Sequence, residues 1–449
     1  KLADMLFPNI TKTISYYEET LFPDRGLADG AKVTRLAPSP TGFIHLGNLY
    51  GAFVDERLAH QSNGVFILRI EDTDEKRKVE GAVETIINSL EFFDLRFDEG
   101  AGINGETGNY GPYFQSNRAE IYQTVAKHLI EMGRAYPCFC SEEELSKIRE
   151  QQIAENVNTG YYGKWAVDRD LTLEEVKKHL DNNDSFVIRF KSMGNPEDTF
   201  EIDDAIRGRI SSPVNFQDIV LLKANGIPTY HFAHVVDDHL MRVTHVVRGE
   251  EWLSTLPIHY ELFTTLGWDL PVYCHTAHLM KMDNGVKRKL SKRKDPELGL
   301  EYYMQLGYHP AAVREYLMTI LNSNFEEWRI QNPDSSIDDF PFTLDKMSNS
   351  GALFDLNKLN DVSKNVLVKI PATEIYDFLL NWAKEYKKEI VNPLTEHKDA
   401  VIKLLDVGRN SDKPRKDLIY CEQIFDFISY YFDEYFKIIS GCKKSIQLG

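Results

Sequence analysis

At 449 residues and 42% hydrophobic content, the chain is long enough for two to four domains with ample buried core, which excludes a disordered or fibrous protein. No apolar run approaches the roughly 20 residues that span a bilayer, and Lys1-Leu2-Ala3-Asp4-Met5 lacks a signal-peptide core, so a cytoplasmic protein with no membrane partner is expected. A net charge of −17 argues against indiscriminate coating of nucleic acid, and five cysteines (Cys138, Cys140, Cys274, Cys421, Cys442) are too few, and odd in number, for a disulfide framework.

After a leading segment of residues 1–30, the pattern predicts a strand over 33–37, a tight Pro/Gly turn, a helix over 47–61 stopped near Gly64, and an apolar strand over 65–70. This is a βαβ unit with a parallel sheet. Ligands of such sheets collect beyond the carboxyl ends of the strands, so the turn carrying His45 and the segment Glu71-Asp72-Thr73-Asp74 should share one edge. A helix over 79–95, a Gly-rich loop over 100–111 and a helix over 117–132 follow. Residues 112–213 break the α/β rhythm and read as an inserted domain. A strand over 216–222, the segment 230–241, a strand over 243–247 and a helix after Glu250 are expected to complete the nucleotide-binding sheet. Asp283-Asn284-Gly285 predicts a hairpin turn. Beyond Pro296 the chain turns helical, with apolar spacing over 311–321, 375–386 and 417–439 and a polar linker over 333–341.

Two motifs carry the chemistry. Ala37-Pro38-Ser39-Pro40-Thr41-Gly42-Phe43-Ile44-His45-Leu46-Gly47-Asn48 puts an imidazole at a helix start, where backbone N–H groups can face phosphate. Lys289-Leu290-Ser291-Lys292-Arg293 lies in a run with six cations in eight residues, Lys287 to Lys294. Together they describe an ATP site in which His45, Lys289 and Lys292 hold phosphate oxygens and Gly47 lets the nucleotide approach the backbone. A second group, Arg35, Ser39, Glu71, Tyr230 and Arg248, could meet at the sheet edge. Two guanidinium groups and one carboxylate suit an acidic amino acid, although Arg35 and Arg248 could equally satisfy Asp237 and Asp238.

The motifs HLGN and KLSKR resemble the two signatures of class I aminoacyl-tRNA synthetases. Arg35 to Gly42, Phe66 to Asp74, Thr229 to Met241 and Val247 to Leu253 resemble bacterial glutamate–tRNA ligases over residues 31–360. The resemblance implies that Arg35, Ser39, Glu71, Tyr230 and Arg248 bind L-glutamate, with His234 standing where the family usually has Asn. It implies that His45, Gly47, Asn48, Glu251, Trp252, Lys289 and Lys292 serve ATP, with Mg²⁺ arriving on the nucleotide. The implied partner is tRNA(Glu). The expected fold is an α/β Rossmann-type catalytic domain (31–111 and 214–270) split by an acceptor-end-binding insertion (112–213), then a signature-loop and stem-contact helical domain (271–360). Residues 361–449 read as an all-α anticodon-binding region, short for two such subdomains and therefore expected to be incomplete. A monomer is expected. Some relatives bind zinc through a Cys-x-Cys pair and later Cys or His ligands. Here Cys138-Phe139-Cys140 is present but Tyr161-Tyr162-Gly163-Lys164-Trp165 holds neither, so no structural zinc is expected.

The nearest competing assignment, glutamine–tRNA ligase, should read close to PxPNGYLHIGH at the first motif, and Arg248 favours a charged substrate. A relative that glutamylates a modified tRNA base should lack the region after Asn360. A non-catalytic tRNA-binding module should bind tRNA without forming an adenylate, and intact His45, Lys289 and Lys292 weigh against it. A small-molecule adenylyltransferase would not need the helical tail.

Overall fold

The computed structural model describes residues 1–41 and 44–432 and comprises two units. One holds Lys1–Glu91, Leu95–His278 and Asp338–Gly351; the other holds Phe92–Asp94, Leu279–Ile337 and the residues from Ala352 onward.

In the first unit, strand β1 (Val33–Leu36) leads into helix α1 (Leu46–Gln61) and strand β2 (Val65–Leu68). The two strands pair in parallel, Val33 against Val65 through Leu36 against Leu68. Strand β3 (Glu99–Gly102) continues the parallel sheet beside β2, and β4 (Gly105–Thr107) turns back antiparallel. Helix α2 (Tyr230–Leu240), strand β5 (His245–Gly249), helix α3 (Leu256–Leu266) and strand β6 (Val272–Thr276) form the other half, with β5 and β6 parallel. The halves meet where Thr244 N–H donates to Val33 O and Val33 N–H to Thr244 Oγ1, both at 2.9 Å. Phe66, Ile67, Ala52 and Val54 are fully buried, as expected of a sheet covered on its faces by helices.

The sequence reading needs three corrections here. The helix stop is Asn63, not Gly64. Asn63 takes the left-handed φ of 54°, and Gly64 N–H closes the helix on Ala59 O at 2.8 Å. A Cβ on Gly64 would lie 1.8 Å from Lys32 O, so glycine is required there for close approach rather than for φ. The supposed Gly-rich loop contains β3, whose residues Glu-Gly-Ala-Gly carry no β-branched side chain to announce a strand. The segment 216–222 does not join the nucleotide-binding sheet. Its strand Val220–Leu222 pairs antiparallel with Val187–Phe190, which pairs with Ala135–Cys138 in a separate three-stranded sheet. A short apolar run has the same pattern in either sheet; only the partner strand decides.

Residues 1–30, for which the sequence suggested no role, fold against α2 and its neighbours. Lys127 Nζ donates to Ile10 O at 2.9 Å, Arg242 Nη2 to Phe22 O at 2.9 Å, and His239 pairs with Glu18 at 2.7 Å. Arg25 grips Glu99 at 2.6 Å and Met241 O at 2.8 Å, with its guanidinium 3.8 Å from the Tyr110 ring centroid.

The second unit carries the hairpin Leu279–Asp283 and Val286–Lys289, with Asp283 opposite Val286 and Asn284 and Gly285 at φ 50° and 80°. That is the primed turn expected from Asn-Gly. Helices Pro310–Leu321, Leu356–Leu367, Ala372–Tyr386 and Lys398–Asp406 follow, and the last three surround Leu379, Trp382, Leu394 and Val401. The helix expected over 417–439 is present as Cys421–Ile428 plus a 3₁₀ turn to Tyr431; its part from 433 onward and Cys442 lie outside the described residues.

Candidate active site

The turn after β1 is pinned at the carboxyl edge of the sheet. Glu71 N–H donates to Pro38 O and Val79 N–H to Pro40 O, each at 3.0 Å, so the first motif and the end of β2 do share one edge. His45 precedes the first turn of α1, and its N–H is capped by Asn48 Oδ1 at 3.1 Å. A Cβ on Gly47 would meet the His45 ring atoms Cε1 and Nδ1 at 3.1 Å, so the imidazole lies against the bare backbone that the motif's glycine provides. This places an imidazole and a helix start together, an arrangement suited to phosphate. Ser39 is exposed in the turn, its carbonyl accepting from Thr41 N–H at 2.8 Å. Gly42 and Phe43 of the same motif lie outside the described residues.

Beside it is a buried charge cluster. Arg35, on β1, donates through Nε to Asp238 Oδ1 at 3.0 Å. Arg69, just past β2, donates to the same oxygen at 2.7 Å and to Glu71 Oε1 at 3.2 Å. Arg35 therefore satisfies a local aspartate, the alternative its sequence left open. Burial opposes the charge on Asp238, but Arg35, Arg69 and His234 outweigh it and hold the carboxyl well below its usual range. Burial pushes Glu71 up, against the pull of Arg69 and Arg35. His234 sits one turn beyond Tyr230, the two rings stacked 5.9 Å apart. Its Nδ1 is 2.9 Å from Asp238 Oδ2 and its Nε2 is 3.3 Å from the Tyr273 hydroxyl, which assigns the proton to Nδ1. Burial drives His234 down to about 3, so the ring is neutral. Tyr230, pushed up to about 12 by burial and by Glu71, stacks on Trp252 at 4.5 Å.

Arg248, on β5, differs from the other two arginines. Its Nε donates to His275 Nε2 at 2.9 Å and its Nη1 to His259 Nδ1 at 3.0 Å, while the guanidinium lies 4.7 Å from the Tyr273 ring centroid. Its Nη2 is buried and has no hydrogen-bond partner among the described residues. Arg35 and Arg69 are balanced by Asp238 and Glu71; the two side chains that Arg248 bonds, His275 and His259, are both histidines whose pKa burial lowers. Sequence reasoning missed Arg69, Asp238 as a ligand of both arginines, and His259 and His275. The available signal was a polar residue inside an otherwise apolar helix or strand, as His259 and His275 are.

Glu251 folds over Gly249, where a Cβ would lie 2.2 Å from its carboxylate, and pairs with His278 at 3.4 Å. In the other unit, Arg288 holds Asp295 through two bonds of 2.7 and 2.9 Å, and Ser291 N–H donates to Asp295 at 2.8 Å. Leu290 is buried. These contacts shape the second motif so that Lys289 and Lys292 are exposed. Elsewhere in the first unit, Cys138, Cys140 and Asp168 bring possible metal-ligand atoms within 4.8 Å of one another. The Tyr161 hydroxyl lies 3.5 and 3.4 Å from the two sulfurs, and Asp168 Oδ2 accepts from Phe139 N–H at 2.7 Å.

Residues 32–361 match the family model described as tRNA synthetases class I (E and Q), catalytic domain. The chain is 89% identical to a glutamate–tRNA ligase of Acetivibrio thermocellus over 439 residues, covering 98% of this chain and 80% of that protein. This chain belongs to the glutamate–tRNA ligase family. It is also 52% identical to the Clostridium perfringens member, over 97% of this chain and 80% of the relative. Among solved structures of the family it resembles the crystal structure of a glutamate tRNA ligase from Elizabethkingia meningosepticum in complex with its amino acid. That match has a TM-score of 0.76 and 30% identity, covering 89% of this chain and 80% of the other. As a class I ligase it is an ATP-using enzyme of protein biosynthesis. Among the described residues, no helix is long and apolar enough to cross a membrane.

Proposed function

We propose that the chain ligates L-glutamate to the 3′-terminal adenosine of tRNA(Glu) in two steps at the edge carrying His45, Glu71 and Arg248. In the first, a glutamate carboxylate oxygen attacks the α-phosphorus of ATP, forming glutamyl-adenylate and releasing pyrophosphate. In the second, a ribose hydroxyl of the terminal adenosine attacks the acyl carbon and releases AMP. The protein positions the groups and offsets negative charge; no side chain serves as nucleophile. The observation that carries this reading is Arg248, a buried guanidinium with an unused donor and no carboxylate partner among the described residues. A cation with one donor to spare suits the extra carboxylate of glutamate.

Glu71 takes the substrate ammonium, Arg248 the side-chain carboxylate, and Arg35, Ser39, Tyr230 and His234 complete the amino-acid pocket. His45, Gly47, Asn48, Glu251 and Trp252 serve ATP, while Lys289 and Lys292 supply charge to its phosphates, with Mg²⁺ bound by the nucleotide. The insertion grips the acceptor end of tRNA, residues 271–360 contact its stem, and the region after Asn360 reads its anticodon arm. The enzyme works as a monomer in the cytoplasm.

No structural zinc is needed. The two thiols, the Tyr161 hydroxyl and Asp168 already satisfy one another, and two sulfurs with one carboxylate fall short of a closed four-ligand site. Metal analysis of the purified protein should find less than stoichiometric zinc; one zinc per chain would contradict this. Charging of total bacterial tRNA with labelled glutamate, and separately glutamine, tests the function. Preference for glutamine would overturn it.

A further inference from the structure

Arg248 is aimed entirely by neutral acceptors. His275 Nε2 and His259 Nδ1 can accept from it only if each ring carries its proton on the other nitrogen, and each has a partner for that proton. His275 Nδ1 lies 2.6 Å from Asp204 Oδ2, and His259 Nε2 lies 3.1 Å from His231 Nδ1. Asp204 in turn is fixed by the backbone N–H groups of Ile206 and Arg207, both at 2.9 Å. The result is two relays of donors that run outward from Arg248, one through His275 to Asp204 and one through His259 to His231. Burial keeps every ring in them uncharged. His231 is driven down to about 4, His259 well below its ordinary range and His275 below it, with the Arg248 cation pushing the same way.

Tyr230 and His234 from α2, with ring centroids 6.0 and 4.3 Å from that of His259, and Tyr273 from β6 also face this cluster. None is a carboxylate, and Asp204, the acid bonded to His275, is separated from the guanidinium by a full imidazole. A carboxylate in place of either histidine would orient Arg248 just as well but would neutralise it, as Asp238 does for Arg35.

We propose that His259 and His275 are positioning residues for substrate selection: they aim Arg248 while leaving its charge uncompensated, so that the enzyme separates glutamate from glutamine by charge. The inference rests on the reading of Arg248 as the residue that meets the glutamate side chain. Neutral imidazole acceptors supply direction without a counter-charge. The selectivity lies in that combination.

The test is ATP–pyrophosphate exchange by the full chain with tRNA present, measured for glutamate and glutamine in His259→Asp, His259→Gln, His275→Leu and Arg248→Gln. His259→Asp should lower the glutamate-to-glutamine ratio of kcat/KM by about tenfold or more, chiefly through KM for glutamate, with KM for ATP nearly unchanged. His259→Gln, a neutral acceptor, should keep most of the ratio. If His259→Asp does not fold, His275→Leu decides: loss of one acceptor should raise KM for glutamate by about fivefold or more and lower the same ratio. An unchanged ratio in whichever of these two variants folds, or equal losses in His259→Asp and His259→Gln, overturns the proposal. Arg248→Gln separates the two layers of the argument. If it leaves glutamate kinetics intact, the assignment of Arg248 to the substrate fails; if it alone has an effect, only the positioning role falls.

Discussion

Asp237 and Asp238 are neighbours on α2, yet their carboxylates serve different parts of the protein. Asp237 accepts from Arg118 Nε at 2.7 Å, Gln115 at 2.9 Å and the Tyr122 hydroxyl at 2.6 Å, all from residues 115–122. Asp238 accepts from Arg35, Arg69 and His234. Successive side chains on a helix point about 100° apart, so one turn of α2 ties residues 115–122 to the charge cluster of Arg35 and Arg69.

The two aspartates should therefore fail differently. Removing one partner of a buried, hydrogen-bonded pair costs roughly 3–5 kcal/mol, because the other charge is left uncompensated. Asp237→Asn should lower the midpoint of urea unfolding while the folded fraction keeps its KM for glutamate. Asp238→Asn should be destabilised similarly and also lose at least about tenfold in kcat/KM for glutamate, since it frees Arg35 and Arg69 at the pocket. Identical kinetics in the two variants would dissociate Asp238 from the pocket.

Arg25 should matter to stability far from any catalytic group. Its side chain and that of Glu99 are 7% and 10% exposed, and the same guanidinium caps α2 through Met241 O. Arg25→Ala is expected to cost about 3 kcal/mol in denaturant unfolding, with Arg25→Lys recovering part of it. A loss under about 0.5 kcal/mol, typical of a surface pair, would show that the leading segment is an ornament rather than a clasp.

Acid should destabilise the fold through its neutral histidines. The folded-state pKa of His234 is about 3 and of His231 about 4, both below the ordinary 6.5 of an unfolded chain. The unfolded chain then binds more protons between those values, so the stability these rings contribute is present above pH 6.5 and lost as pH falls toward 4. Each ring adds a slope of up to about 1.4 kcal/mol per pH unit within that window. Urea midpoints at pH 7.5 and 5.0 check this, and His234→Asn should flatten the dependence. Equal midpoints at both values would mean that the rings are protonated in the fold.

The sheet edge was legible in the sequence because its signals are local: His45 and Gly47 follow one strand within a dozen residues, Glu71 follows the next, and Asn284-Gly285 specifies its own turn. What could not be read depends on distant partners. Arg69 meets Asp238 from 169 positions away, so although it stands in the apolar run Val65 to Ile70, nothing local names its partner. Val220–Leu222 looked like a nucleotide-sheet strand because three apolar residues fit either sheet, and its antiparallel partner Val187–Phe190 was unassigned. His259 and His275 stand in apolar surroundings, where a polar residue should have prompted a search for its partner.

Lys292 is expected to act on phosphate charge and not on tRNA binding. Lys292→Ala should slow adenylate formation by about a hundredfold or more while leaving tRNA affinity nearly unchanged. Pre-steady-state quenching of adenylate formation, with filter binding of tRNA in parallel, measures both. An undiminished rate would remove Lys292 from the mechanism.

The most direct test is a crystal structure with a non-hydrolysable glutamyl-adenylate analogue. The account expects a side-chain carboxylate oxygen within about 3 Å of Arg248 Nη2, with the His259 and His275 bonds retained. A side-chain carboxylate bound elsewhere, with Arg248 Nη2 still lacking a partner, would contradict it.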